Sequence, residues 1–143
     1  SGQTIARGFA MPHSPRVHGD RLWLLDSGRG HLVTIDPATG SGQVVSRQPG
    51  YTRGLSFAGP YAFVGLSKIR ETSTFGGVPI AESLETLKCG VGIVDLRRGR
   101  VVAHFEFLAG VEEIFDVQIL HGAQHPYLAG PFAQADGRSP IWA

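Results

Sequence analysis

A block that occurs twice constrains this chain more than anything else in it. His31-Leu-Val-Thr-Ile-Asp36-Pro-Ala-Thr-Gly40 is followed by Gln43-Val-Val45, and Gly92-Ile-Val-Asp95-Leu-Arg-Arg-Gly99 is followed by Arg100-Val-Val102. In both, an apolar strand ends in Asp, the chain turns, Gly sits four positions on, and a second apolar strand begins. Asp36 is as far from Asp95 as Gly40 is from Gly99. A spaced duplication of this kind marks a supersecondary unit that cannot bury its own face and stacks on copies of itself.

Strand signals surround both copies. Arg21-Leu-Trp-Leu-Leu25 follows the turn-like His18-Gly-Asp20 and pairs with His31 to Ile35 across Asp26-Ser-Gly-Arg-Gly30, read as a hairpin connection. In the turn after Asp36, Pro37 presets φ and Gly40 accepts a positive φ. Gly54-Leu-Ser-Phe57 and Tyr61-Ala-Phe-Val-Gly-Leu66 form a further hairpin around Ala58-Gly-Pro60. The pattern predicts an all-β fold of four-stranded antiparallel units. One spans residues 14–48, with strands at 14–18, 21–26, 31–36 and 43–48. A second spans 53–107, with strands at 53–58, 61–67, 89–96 and 100–107 and an insertion over 69–88. A third has only two strands, at 114–120 and 126–130, so the partial domain of residues 1–143 holds about two and a half units. Inside the insertion, Pro79 and the leucines of Ala81-Glu-Ser-Leu-Glu-Thr-Leu87 carry the one helical signal.

Repeated four-stranded sheets are blades of a β-propeller, which needs at least four of them. The open edges of a shorter stack would expose sheet and apolar surface. The expectation is therefore an incomplete propeller, closed by missing N-terminal blades of the same parent protein or by self-association.

Composition narrows the partners. A net charge of +1 with no run of Lys or Arg argues against nucleic acid and against an anionic membrane surface. The 20 Gly and 9 Pro suit a fold of many tight turns. The single Cys89 excludes an internal disulfide, and no apolar run approaches the ~20 residues of a membrane helix. These features, with no secretory leader pattern, predict a cytoplasmic location.

Several segments in order resemble an uncharacterised bacterial family of conserved hypothetical proteins, domain of unknown function 4915. They are Ala10-Met-Pro-His-Ser-Pro-Arg16, Leu22-Trp-Leu-Leu-Asp-Ser-Gly28, Gly50-Tyr-Thr-Arg-Gly-Leu-Ser-Phe57, Val64-Gly-Leu-Ser-Lys68 with Arg70-Glu71, Cys89-Gly90, and Gly110-Val-Glu-Glu-Ile-Phe-Asp-Val117. The likeness runs from about residue 5 to about residue 130. It implies the C-terminal half of a member about twice as long, a propeller-like fold, and no established activity. Gly19-Asp-Arg-Leu-Trp-Leu-Leu25 with Ile35-Asp-Pro-Ala-Thr-Gly40 is also similar to blades of gluconolactonase and strictosidine-synthase-like proteins. That pattern encodes blade geometry rather than chemistry.

In a propeller the first strand of each blade lines the central channel, so the polar residues on or just before those strands are candidate ligand contacts: His13, Arg16, Arg53, Glu112, Glu113 and Asp116. Ser67 and Arg70, which leave the second strand of the second unit beside the 69–88 insertion, join them, with the insertion as a rim or lid. Each also has a structural reading. His13 would hold an inter-blade link through a backbone carbonyl. Arg16 and Arg53 would pair with Glu112, Glu113 or Asp116 as internal ion pairs, and removal of Arg53 from a buried pair would cost on the order of 3–5 kcal/mol. Asp26, Asp36 and Asp95 read as turn caps, and Trp23 and Phe63 as packing. No metal-binding spacing and no nucleophile motif stands out; a divalent ion on His13 with Glu112 or Asp116 is the one arrangement worth weighing. Two functions are compatible with these residues. The first is a binding or scaffold module with a polar channel-mouth site for a small ligand or partner. The alternative is a hydrolase or lactonase-like enzyme acting at that mouth, metal-assisted or not. The residues name neither a cofactor nor a catalytic group, and they leave open whether the protein is an enzyme.

Overall fold

The computed structural model describes residues 2–68 and 77–124. Its elements are β1 (Pro12–His18), β2 (Arg21–Asp26), β3 (His31–Ile35), β4 (Gly42–Arg47), β5 (Tyr51–Ala58), β6 (Tyr61–Ser67), β7 (Gly90–Asp95) and β8 (Arg100–Glu106). They form two four-stranded sheets, ordered β1-β2-β3-β4 and β5-β6-β7-β8, antiparallel throughout.

The duplicated block is the third and fourth strand of each sheet, and its turns are built alike. Asp36 Oδ1 accepts the Ala38 N–H at 2.8 Å, and Asp95 Oδ1 accepts those of Arg97 and Arg98 at 2.9 and 3.2 Å. Gly40 and Gly99 then take the left-handed conformation, with φ +72° and +61°.

The core follows from strand alternation. Trp23, Leu25 and Leu32 of the first sheet meet Leu55, Ala62, Val64, Leu66 and Val94 of the second. The intervening side chains of the first sheet, Leu24, Val33 and Ile35, point the other way and are covered by Ala6 and Phe9 of the N-terminal segment. Leu22-Trp-Leu-Leu25 is apolar without a break because both faces of β2 are covered.

Two elements differ from the sequence reading. The connection after β2 is a 3-10 turn, Ser27–Arg29, that places Ser27 wholly inside. Residues 107–124 form no strand, although Phe115-Asp-Val-Gln-Ile-Leu120 alternates like one. The expected partner strand at 126–130 lies outside the described residues. In the insertion, Pro79–Thr86 is a 3-10 segment kinked at Ser83. It folds back so that Ile80 and Leu87 pack with Tyr51, and the Lys88 N–H donates to the Pro49 carbonyl at 2.7 Å.

Candidate functional site

Consecutive units are fastened by serines at the same place in each. Ser27, one residue past β2, donates through Oγ to the Thr52 carbonyl of β5 at 2.5 Å. Ser67, which ends β6, donates to the Ile114 carbonyl at 3.2 Å and accepts the Ile114 N–H at 2.8 Å. Lys68 N–H adds a bond to the Glu112 carbonyl at 2.8 Å. Residues 111–119 thus lie along β5 as β5 lies along β1. The approach is close: a Cβ on Gly54, whose φ is +85°, would fall 2.5–2.7 Å from backbone atoms of Asp116 and Val117.

This repetition aligns His13, Arg53 and Phe115. His13 follows Pro12, paired with Asp26; Arg53 follows Thr52, paired with Leu66; Phe115 follows Ile114, fastened to Ser67. The Arg53 guanidinium lies over the Phe115 ring, 4.1 Å from its centroid. Across the same surface, Arg16 Nη2 reaches Asp116 Oδ1 at 3.8 Å.

His13 is oriented by its surroundings. Its Nδ1 lies 2.9 Å from the Met11 carbonyl, 3.0 Å from Ser27 Oγ and 3.4 Å from Tyr51 Oη. A carbonyl can only accept, so the proton belongs on Nδ1, and the lone pair of the neutral ring is on Nε2. Nε2 makes no hydrogen bond among the described residues. Burial pushes the Tyr51 hydroxyl above its ordinary pKa, so it stays protonated, its oxygen facing the Nδ1 proton and its own proton directed at the Met11 sulfur, 4.0 Å away.

Of the sequence-derived candidates, His13, Arg16, Arg53 and Asp116 therefore share the surface of β1, β5 and the adjoining segment. Ser67 is buried and serves as a fastening. Glu112 and Glu113 are exposed on the same segment, and Arg70 lies outside the described residues. Of the expected pairings, Arg16 meets Asp116, while Arg53 lies over an aromatic ring. The Arg16–Asp116 side chains are 39% and 41% exposed, so this is a surface pair.

A model described as Domain of unknown function (DUF4915) matches residues 1–129. The chain belongs to that family. No curated protein matches it. The whole surface of β1, β5 and residues 111–119 of this DUF4915 chain falls inside the matched span, as do both fastening serines. No three His, Cys, Asp or Glu side chains among the described residues gather as a metal site would require. Cys89 is fully buried, and that burial raises its thiol pKa, the reverse of an activated nucleophile. Among the described residues no helix is long and apolar enough to cross a membrane.

Sequence reasoning overlooked Tyr51 and Ser27 beside His13. The signal for Ser27 was present: a serine closes the second strand of both units, in Leu25-Asp-Ser27 and Gly65-Leu-Ser67. It also overlooked Arg29, His31 and Arg47, which line a cleft between the first sheet and the 3-10 segment at Pro79–Thr86. Their distance in sequence from the first strands hid them.

Proposed function

We propose that this chain is a propeller-type binding module whose ligand lies across β1, β5 and the segment 111–119. The observation that carries the reading is the alignment of His13, Arg53 and Phe115 by two equivalent serine fastenings. Mixed charge with an aromatic face and an oriented imidazole suits a small polar ligand such as a sugar acid. The two sheets would be neighbouring blades, with 111–119 at the innermost position of a third.

The test is calorimetric titration of the folded chain with a panel of sugars and sugar acids, repeated on His13→Ala and Arg53→Ala. The expected result is saturable binding to a panel member, lost or weakened at least tenfold in either variant while melting barely changes. Binding that ignores both substitutions would refute the site. A second reading, a lactonase-like hydrolase, draws on His13 Nε2, which is unengaged among the described residues and suits a general base or a metal ligand. Turnover of a lactone that His13→Gln abolishes would favour it.

A further inference from the structure

A second concave surface lies away from the inner strands, between the first sheet and the folded-back insertion. It is a cleft of about 440 Å³. His31 and Arg47 are register partners on β3 and β4, and Asp26 is the partner of His31 on β2. Paired residues share a face, so the three form a row across one end of the sheet. Both oxygens of Asp26 are engaged, Oδ1 by the Ala10 N–H at 2.7 Å and Oδ2 by Arg29 at 2.8 Å. Among the described residues Arg29 uses only Nη1, for that bond and for the Gly8 carbonyl, and the rest of its fork is available. Arg47 makes no ion pair or hydrogen bond among the described residues.

The opposite wall comes from Pro79–Thr86 together with Leu87. Ser83 and Thr86 line the rim, and Ile80 and Leu87 supply apolar wall. Glu82 and Glu85 belong to the same segment but do not line the cleft, and no carboxylate lines it among the described residues. Three basic side chains thus converge with one neutralising partner. His31 registers that excess: burial first, and then the charge of Arg47, hold its pKa below the ordinary value, Asp26 opposing them and Arg29 adding the smallest effect in the same direction as Arg47. Basic groups left facing one another are unfavourable unless an anion joins them.

We propose that this cleft binds a phosphate group between Arg29, His31 and Arg47, with a small organic substituent resting on Ile80 and Leu87. Guanidinium forks match the paired oxygens of a phosphate, and the Ser83 hydroxyl adds a donor, that of Thr86 being held by the Ser83 carbonyl at 2.9 Å. The cleft stands apart from the inner-strand surface, so this proposal does not depend on the proposed function.

The test follows the His31 imidazole signals by NMR in the full chain, titrated with inorganic phosphate and with phenyl phosphate. Sodium chloride at matched ionic strength is the control. The expected result is a saturable change at His31 with both phosphates and a rise in its pKa, neither produced by chloride. Phenyl phosphate should bind more tightly. Arg47→Ala should weaken binding about tenfold, the worth of one charge-assisted hydrogen bond. Arg47→Lys should recover part of it, and Arg100→Ala, away from the cleft, should change nothing. A chloride effect equal to that of phosphate, or indifference to Arg47→Ala in a protein that melts normally, would overturn the proposal. Equal affinity for the two phosphates would overturn its organic half and leave phosphate itself as the ligand.

Discussion

Arg53 shows how much a single contact alters an expectation. From sequence, a basic residue on a first strand facing three acids reads as half of an ion pair. In the structure its guanidinium covers Phe115, a ring that is itself 76% exposed. A partly buried cation over an exposed ring contributes about 0.5–1 kcal/mol. Arg53→Ala should lower stability by about that amount in chemical denaturation, and not by the several kcal/mol of a broken buried pair. His31 supports a second prediction. Its folded pKa is depressed, so the unfolded chain binds its proton more readily and stability rises with pH across that window. Its contribution is present above the unfolded pKa of about 6.5 and is lost as the pH falls below it. Melting curves taken between neutral and mildly acidic pH should show a decline that is shallower in His31→Gln.

Elements that rest on local chemistry were readable, and those that rest on distant partners were not. Asp36 and Asp95 announce their turns because an Asx side chain caps the backbone two residues on, whatever surrounds it. Asp26 looks the same in sequence but is drawn to the Ala10 N–H and to Arg29, and the chain after it tightens into a 3-10 turn that carries Ser27 inward. The alternation in Phe115 to Leu120 is a genuine strand pattern. A ladder also needs a partner backbone in register, and along β5 the segment is held by Ser67 and Ser56 side chains instead. That attachment predicts a selective effect. Ser67→Ala removes both bonds to Ile114, so hydrogen exchange at Ile114 and Val117 should accelerate well before that of β6 and β7. Uniform acceleration across the second sheet would show that the serine supports the sheet itself.

At the scale of the molecule, the two sheets share one core, and among the described residues the far face of the second sheet is covered along β5 and β6 by Ile114 and Val117. Phe105 on β8 and Leu108 beyond it are 56% and 89% exposed. Apolar side chains left in water in this way favour association. Light scattering of the purified chain should therefore report a mass above that of one copy; a monodisperse single copy with a cooperative melt would contradict this. The first sheet is in the opposite condition. Its outer face is occupied by Ala6 and Phe9, and the segment bearing them is moored through Ala10, whose carbonyl accepts the Gly28 N–H at 2.8 Å. Any further sheet arriving there has to trade places with residues of this same chain. Its apparent affinity is the intrinsic one multiplied by the fraction of time that the resident segment is lifted away, so the chain carries its own competitor for the outer face of its first sheet.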